Sequence, residues 1–254
     1  MRIVSLSPAT TEIVVALGLG DALVDITSAP DLVLTGGPSV PEADGSPRST
    51  EPGWALDPGV HVVSLEPTSI EGIFNSIATI GALAGAEDAA VDLVASLRER
   101  LADVEETVAE RRAAGHAAPR VVALEQLEPP FAAGLWVPEQ VRRAGAWELL
   151  GESGAPSVET TWAAVREVDP EMLVLMPRGL GVNEAAAAWA RTARPRWWRT
   201  VDAVRRGQVF AVDGSAYFSR PGPRVVDGIE LLAEIFDPDA FIEIAPPGSW
   251  TPVS

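Results

Sequence analysis

A single apolar stripe in the middle of the chain constrains the fold most. From Ala86 to about Arg112 the apolar residues recur at steps of four and three, which is the pattern of one buried helix face. The positions of the stripe are Ala90, Val94, Leu97, Leu101, Val104 and Val108. A helix of about 27 residues would be roughly 40 Å long, and Gly115 and Pro119 mark its end. This helix is predicted to be a rigid connector between the two halves of the chain.

Strand and helix patterns alternate on both sides of this connector. In the first half, strands are predicted at residues 2–7, 23–27, 32–35 and 60–65, with one helix capped by Thr10 and another at residues 69–82. In the second half, strands are predicted at residues 120–125, 172–176 and 208–212, and helices at residues 137–144, 162–168, 184–193 and 224–236. Such alternation predicts parallel sheets with right-handed crossovers. The fold class is therefore α/β, with lobes at residues 1–85 and 115–254 and the connecting helix at residues 86–114.

The charge balance and the absence of cysteine exclude several classes of function. The 254 residues carry a formal net charge of −17. Nucleic-acid binding and docking on anionic lipid both favour a basic protein, so neither is expected. Because the chain has no cysteine, it forms no disulfide, no thiolate nucleophile and no Cys-bound zinc site.

The start of the chain predicts a cytoplasmic protein. Met1 to Leu6 enter a strand pattern directly, without the apolar segment and cleavage site of a signal peptide. The alternative is an exported protein whose signal has been removed. No apolar run approaches the length of a membrane span, so membrane insertion is not expected.

Catalytic and metal-binding patterns are weak. His61 and His116 stand far apart without a second ligand at helical or strand spacing, so no metal site is predicted. No Ser-His-Asp arrangement, P-loop or dinucleotide fingerprint occurs. Glu125 and Glu128 end a predicted strand and are candidates for acid/base chemistry, although carboxylates there more often cap or face solvent. No catalytic residue is assigned.

Aromatic residues in the second half point to a ligand site. Phe131, Trp136, Tyr217 and Phe218 follow predicted strands, and Trp162 begins a helix in the same half. In open α/β sheets, ligands bind beyond the carboxyl ends of the strands. Flat side chains at one rim suit a large, planar, partly apolar ligand.

Several motifs in order along the chain resemble one family. Ser5-Leu-Ser-Pro-Ala-Thr-Thr-Glu12, Val63-Ser-Leu-Glu-Pro-Thr-Ser-Ile70, Glu128-Pro-Pro-Phe131 and Phe218-Ser-Arg-Pro-Gly-Pro-Arg224 resemble segments of the vitamin B12 (cobalamin) binding proteins, class III substrate-binding proteins of ABC transporters. The resemblance implies two Rossmann-like lobes joined by a long backbone helix. It also implies that the protein holds a corrinoid in the cleft between the lobes.

The same resemblance implies the ligand contacts. Carried over by position, the residues that would line the cleft are Pro8, Thr10, Phe131, Trp136, Tyr217, Phe218 and Arg220. Cobalamin is the implied ligand, and no protein side chain is assigned to its cobalt.

The chain also departs from the family pattern. A segment of the first lobe that normally follows Asp25–Thr27 is missing, and no acid stands at the second docking position near Trp162. These departures weigh against an ABC importer as partner. They leave open a cytoplasmic enzyme or sensor for another flat or hydrophobic molecule, and a receptor for haem or a siderophore.

Overall fold

The computed structural model describes residues 1–25, 30–36 and 59–254. The carboxyl end of the strand predicted at residues 23–27 and nearly all of the predicted loop at residues 36–58, including Trp54, lie outside these residues. In the described part, helices and strands are mixed, which confirms the α/β class.

Ten strands and nine α-helices are defined in the described residues. The strands are β1 Ile3–Ser5, β2 Leu32–Gly36, β3 His61–Leu65, β4 Arg120–Leu127, β5 Pro130–Ala132, β6 Trp147–Glu148, β7 Val158–Glu159, β8 Met172–Leu175, β9 Val209–Val212 and β10 Trp250–Pro252. The helices are α1 Pro8–Ala16, α2 Ile70–Ala84, α3 Glu87–Ala113, α4 Val137–Arg143, α5 Trp162–Val168, α6 Val182–Arg191, α7 Asp202–Arg205, α8 Gly214–Tyr217 and α9 Val225–Phe236.

The chain divides into two compact units. Unit 1 comprises Met1–Pro67, Glu71–Leu97 and Arg220–Pro223. Unit 2 comprises Thr68–Ile70, Arg98–Ser219 and Arg224–Ser254. The division therefore falls within α3, and a short segment after α8 belongs to unit 1.

Unit 1 contains a three-stranded parallel sheet in the order β1-β2-β3. Its central strand is buried, as expected for a strand that is covered on both faces. Ser7, rather than the predicted Thr10, is the N-cap of α1, because its hydroxyl accepts the Ala9 backbone N–H and Pro8 occupies the first turn.

Unit 2 contains a larger sheet in the order β10-β9-β8-β4-β5-β7. Its central strands β4, β8 and β9 are parallel, as predicted, but β5 and β10 run antiparallel to them. Strand β7 pairs antiparallel with β5. Residues 128–131 were predicted to form a proline-rich loop after the strand, and this is wrong, because the chain turns back after β4 and Pro130 and Phe131 pair with it. Pro130 is tolerated at the first position of this short strand.

The long helix confirms the prediction from the apolar stripe. It runs from Glu87 to Ala113, and Ala90, Leu97, Leu101 and Val104 are at most 5% exposed. No helix in the described residues is long and apolar enough to cross a membrane.

The core of unit 2 contains a cluster of three tryptophans. Trp162, Trp189 and Trp198 meet edge to face, with ring centroids 5.0–6.0 Å apart. Trp162, which the sequence analysis grouped with the aromatic rim, packs against this core instead. Edge-to-face packing is favourable for aromatic rings, so the cluster stabilises the unit.

Candidate functional site at the carboxyl edge of the unit 2 sheet

The strand order of unit 2 identifies one edge as a binding position. After β4 the chain forms β6 on one side of β4 and then returns to form β8 on the other side. The strand order thus changes direction at β4. In open α/β sheets, the crevice outside the carboxyl ends of the strands at such a point is where ligands bind.

A cavity of about 380 Å³ lies at this position. Residues 125–128 at the end of β4 line one part of it, and Pro177 and Arg178, which follow β8, line another. The remaining lining residues include Ala188 and Thr192 of the α6 region. The volume lies in the range typical of small-molecule sites.

Three charged groups of this cavity, Glu125, Glu128 and Arg178, have partners. Arg178 forms an ion pair of 2.6 Å with Glu125 and donates a hydrogen bond of 3.0 Å to Ser157 Oγ. Glu128 Oε1 accepts the Ala193 backbone N–H at 2.7 Å. Both carboxylates predicted as acid/base candidates are therefore engaged in charge-assisted bonds. Sequence reasoning missed Arg178, whose only signal is its position two residues beyond a predicted strand.

Tyr217 lies beyond β9 at the same edge of the sheet. Asp213 caps the short helix α8 by accepting the Ala216 backbone N–H at 2.7 Å. Gly214 lies against the backbone carbonyls of Met176 and Pro177, where a Cβ would come within 2.5 Å. The half-buried Tyr217 side chain ends this helix. Burial, together with the charges of Asp227 and Asp213, raises the pKa of its phenol, so the ring stays neutral.

A buried amide positions Tyr217. Gln140 is fully buried, and its Nε2 donates to the backbone carbonyls of Val225 at 2.9 Å and Tyr217 at 3.3 Å. Gly228 makes room for this contact, because a Cβ there would lie 2.6 Å from Gln140 Nε2. Contacts among the three helices α4, α8 and α9 thereby fix the backbone at Tyr217.

The structure separates the other predicted aromatic residues by exposure. Phe131 is half-buried in β5, opposite Gln126 and Glu159. Trp136 and Phe218 are only 2% and 4% exposed, so their rings pack in the protein interior. In unit 2, therefore, Phe131 and Tyr217 present more of their surface than Trp136 and Phe218 do.

The remaining predicted residues belong to unit 1. Pro8 is exposed in the first turn of α1. Thr10 is buried, where its hydroxyl is 2.6 Å from Ser5 Oγ and donates to the Ser7 carbonyl. Arg220 is half-buried and opens the segment assigned to unit 1. The contact of these residues with a ligand stays a prediction.

Neither histidine lines the cavity of about 380 Å³. His61 opens β3 in unit 1, and His116 follows α3; both are exposed. In the described ranges, no three His, Asp or Glu side chains converge as metal ligands would.

Comparison with known proteins gives the family. The sequence profile of the family described as periplasmic binding protein matches residues 29–216. An uncharacterized ABC transporter substrate-binding lipoprotein of Bacillus subtilis (strain 168) is 27% identical over 277 aligned residues, covering 95% of this chain and 82% of the relative. A cobalamin-binding protein of Halobacterium salinarum (strain ATCC 29341 / DSM 671 / R1) is 25% identical, covering 92% and 69%.

Solved structures show the same fold. A periplasmic haem-binding protein of Pseudomonas aeruginosa superposes with a TM-score of 0.73 at 22% identity, covering 100% of this chain and 95% of that protein. The periplasmic vitamin B12 binding protein of Vibrio cholerae gives a TM-score of 0.68 at 20% identity, covering 93% and 96%. The resemblance found in the sequence is thereby confirmed for the family and the fold.

These findings also correct the predicted location. The cytoplasmic placement was wrong, because the matching family is one of periplasmic binding proteins and the Bacillus relative is a lipoprotein. The prediction that an ABC importer is a doubtful partner is not supported, because the Bacillus relative is an ABC transporter substrate-binding lipoprotein.

Proposed function

Since the chain belongs to the periplasmic binding protein family, we propose that it binds cobalamin and delivers it to an ABC importer. The Halobacterium relative is a cobalamin-binding protein, and the motifs shared with that class run from Ser5 to Arg224. The observation that carries the proposal is the half-buried Tyr217 beyond β9, held by Gln140 at the binding edge of unit 2.

Tyr217 suits contact with a corrinoid through its ring. Burial and nearby carboxylates raise the pKa of its phenol, so the ring is neutral in the free protein. A neutral phenol ring offers an apolar face and one hydrogen bond, which suits contact with the edge of a corrin ring. Cobalamin arrives with its cobalt ligands in place and needs none from the protein.

Titration with aquocobalamin and cyanocobalamin tests the proposal. We expect saturable binding near one equivalent of ligand. Calorimetry and the visible spectrum of the ligand measure this binding. Tyr217→Ala and Phe131→Ala should each weaken binding by about 1–3 kcal/mol, since each removes a ring from the ligand surface.

Trp147→Ala is the matched control, because Trp147 is 55% exposed and lies in β6, beside the start of β4 and away from its carboxyl end. It should bind cobalamin like the parent protein. If haem binds instead of cobalamin, or if the Phe131 and Tyr217 variants keep full affinity, the proposed ligand or the proposed contacts are wrong.

A further inference from the structure

A second cavity, of about 1310 Å³, lies in unit 2 at the opposite edge of the sheet. Gly207 and Val209 at the start of β9 line it, together with Pro252 at the end of the antiparallel β10. These residues mark the amino end of β9, whereas the candidate ligand site lies beyond the carboxyl ends of the strands. The two cavities share no lining residue.

The second cavity is the most basic region of an acidic protein. Residues 191–206 contain six arginines and one acid, Asp202, a local charge of +5 in a chain of net charge −17. Four of these arginines line the cavity: Arg194, Arg196, Arg199 and Arg205. A concentration of one sign of charge within a concave surface focuses the electrostatic field on it.

Arg194 is held in place without a carboxylate. Its guanidinium carbon lies 4.0 Å from the centroid of the Trp189 ring, and its Nη1 donates to the Trp189 carbonyl at 2.7 Å. Burial lowers its pKa, and it forms no ion pair within the part of the chain that the structure describes. In contrast, Arg100 pairs with Asp227 and Glu230. Stacking thus fixes the guanidinium group of Arg194, while most of its N–H donors remain available to bind a ligand.

Two further arginines of the cavity are also unpaired. Arg196 and Arg199 lie on one short helical turn, Arg196–Thr200. Within residues 1–25, 30–36 and 59–254, neither makes an ion pair; Asp202 instead pairs with Arg205 at 3.3 Å and Arg206 at 2.7 Å. Arg196 and Arg199 are exposed, so a ligand can reach their guanidinium groups from solvent.

We propose that this cavity binds a phosphate-bearing anion through Arg194, Arg196 and Arg199. A carboxylate has two oxygens and forms a bidentate pair with one guanidinium group. A phosphate group has more acceptor oxygens and can bind several guanidinium groups, so it suits a cavity with three arginines that form no ion pair. Trp189 and Trp198 also line the cavity, but their rings are only 1% and 5% exposed, so they support the arginine side chains from below. Both a phospholipid headgroup and a free phosphate compound carry this chemistry.

Two probes distinguish the sources. Tripolyphosphate is titrated into the full chain by calorimetry at low salt, and cosedimentation is measured with vesicles of phosphatidylglycerol in phosphatidylcholine and of phosphatidylcholine alone. Binding of tripolyphosphate alone assigns a free phosphate ligand. Binding to the phosphatidylglycerol vesicles, competed by tripolyphosphate, assigns a headgroup.

The decisive variant replaces Arg194, Arg196 and Arg199 with Gln. It should weaken binding of the effective probe at least about tenfold, the loss of one charge-assisted contact or more. The matched control replaces Arg2, Arg112 and Arg142 with Gln, which changes the net charge equally outside the cavity, and should leave affinity within about twofold. Should the triple variant fail to fold, the double variant R196Q/R199Q keeps the Arg194–Trp189 contact and should still lose affinity.

Two results would overturn the proposal: neither probe binds the parent protein at millimolar concentration, or the cavity and control variants lose affinity equally. Cobalamin titration of the cavity variant should match that of the parent protein, so this site and the proposed function are tested separately.

Discussion

Gln140 shows how one buried side chain fixes the candidate site. Its replacement by Ala should destabilise the protein by about 1–3 kcal/mol, because the buried carbonyl of Val225 and the part-buried carbonyl of Tyr217 lose a donor. Urea unfolding measures this loss. Gln126→Ala is the control, since Gln126 is exposed and bonds only to backbone carbonyls nearby. Equal stability of the two variants would mean that the Gln140 contacts contribute nothing.

Glu148 is expected to make the stability of the protein depend on pH. Its carboxylate accepts the backbone N–H groups of Ala123, Leu150 and Gly151, yet burial outweighs these bonds and raises its pKa to about 7. Because the folded state holds this proton more tightly than the unfolded state, the stability it contributes is complete below about pH 4.5 and declines as pH rises to 7. The loss amounts to at most about 3 kcal/mol.

Glu148→Gln should flatten this part of the pH profile, since an amide of similar shape does not titrate. Chemical unfolding at several values between pH 5 and 8 measures it. Glu152→Gln, on an exposed residue of the loop that follows β6, should keep the slope of the parent protein. A Glu148→Gln profile as steep as that of the parent would show that another group titrates.

At the scale of elements, α3 provides the clearest test. Leu101→Ala should cost about 2–5 kcal/mol, because Leu101 is 5% exposed and truncation leaves a cavity. Val91→Ala on the same helix should be nearly neutral, since Val91 is 66% exposed. Thermal melts of both variants check the difference, and a Leu101 variant that melts like the parent would contradict the buried stripe.

The elements also show where sequence patterns fail. The period of the α3 stripe is a local property and is visible without tertiary structure, and helix α5 begins and ends where the sequence predicts, at Trp162 and Val168. Strands β5 and β10 have three residues each, too few for a periodic pattern. They form because β4 and β9 offer backbone N–H and C=O groups for pairing, and this depends on the sheet rather than on the local sequence.

At the scale of the whole molecule, net charge proved a poor guide to local surfaces. A chain with a net charge of −17 gives no reason to expect an anion site, yet the segment containing Arg194 and Arg199 is strongly basic. Electrostatic interactions are screened within about 10 Å in salt, so a ligand responds to the arginines of one cavity rather than to distant carboxylates. The distribution of charge, not its sum, decides binding.

The sequence by itself determined the α/β class, the long helix and the family resemblance, because periodicity and motif order are encoded along the chain. Only the tertiary structure decided which aromatic rings are accessible: Trp136 and Tyr217 both follow strands, but Trp136 is buried while Tyr217 is half-buried. The tertiary structure also pairs Glu125 with Arg178, 53 positions away, and brings four arginines to the lining of one cavity. Burial and pairing depend on residues distant in the chain, and no local pattern specifies which of them will meet.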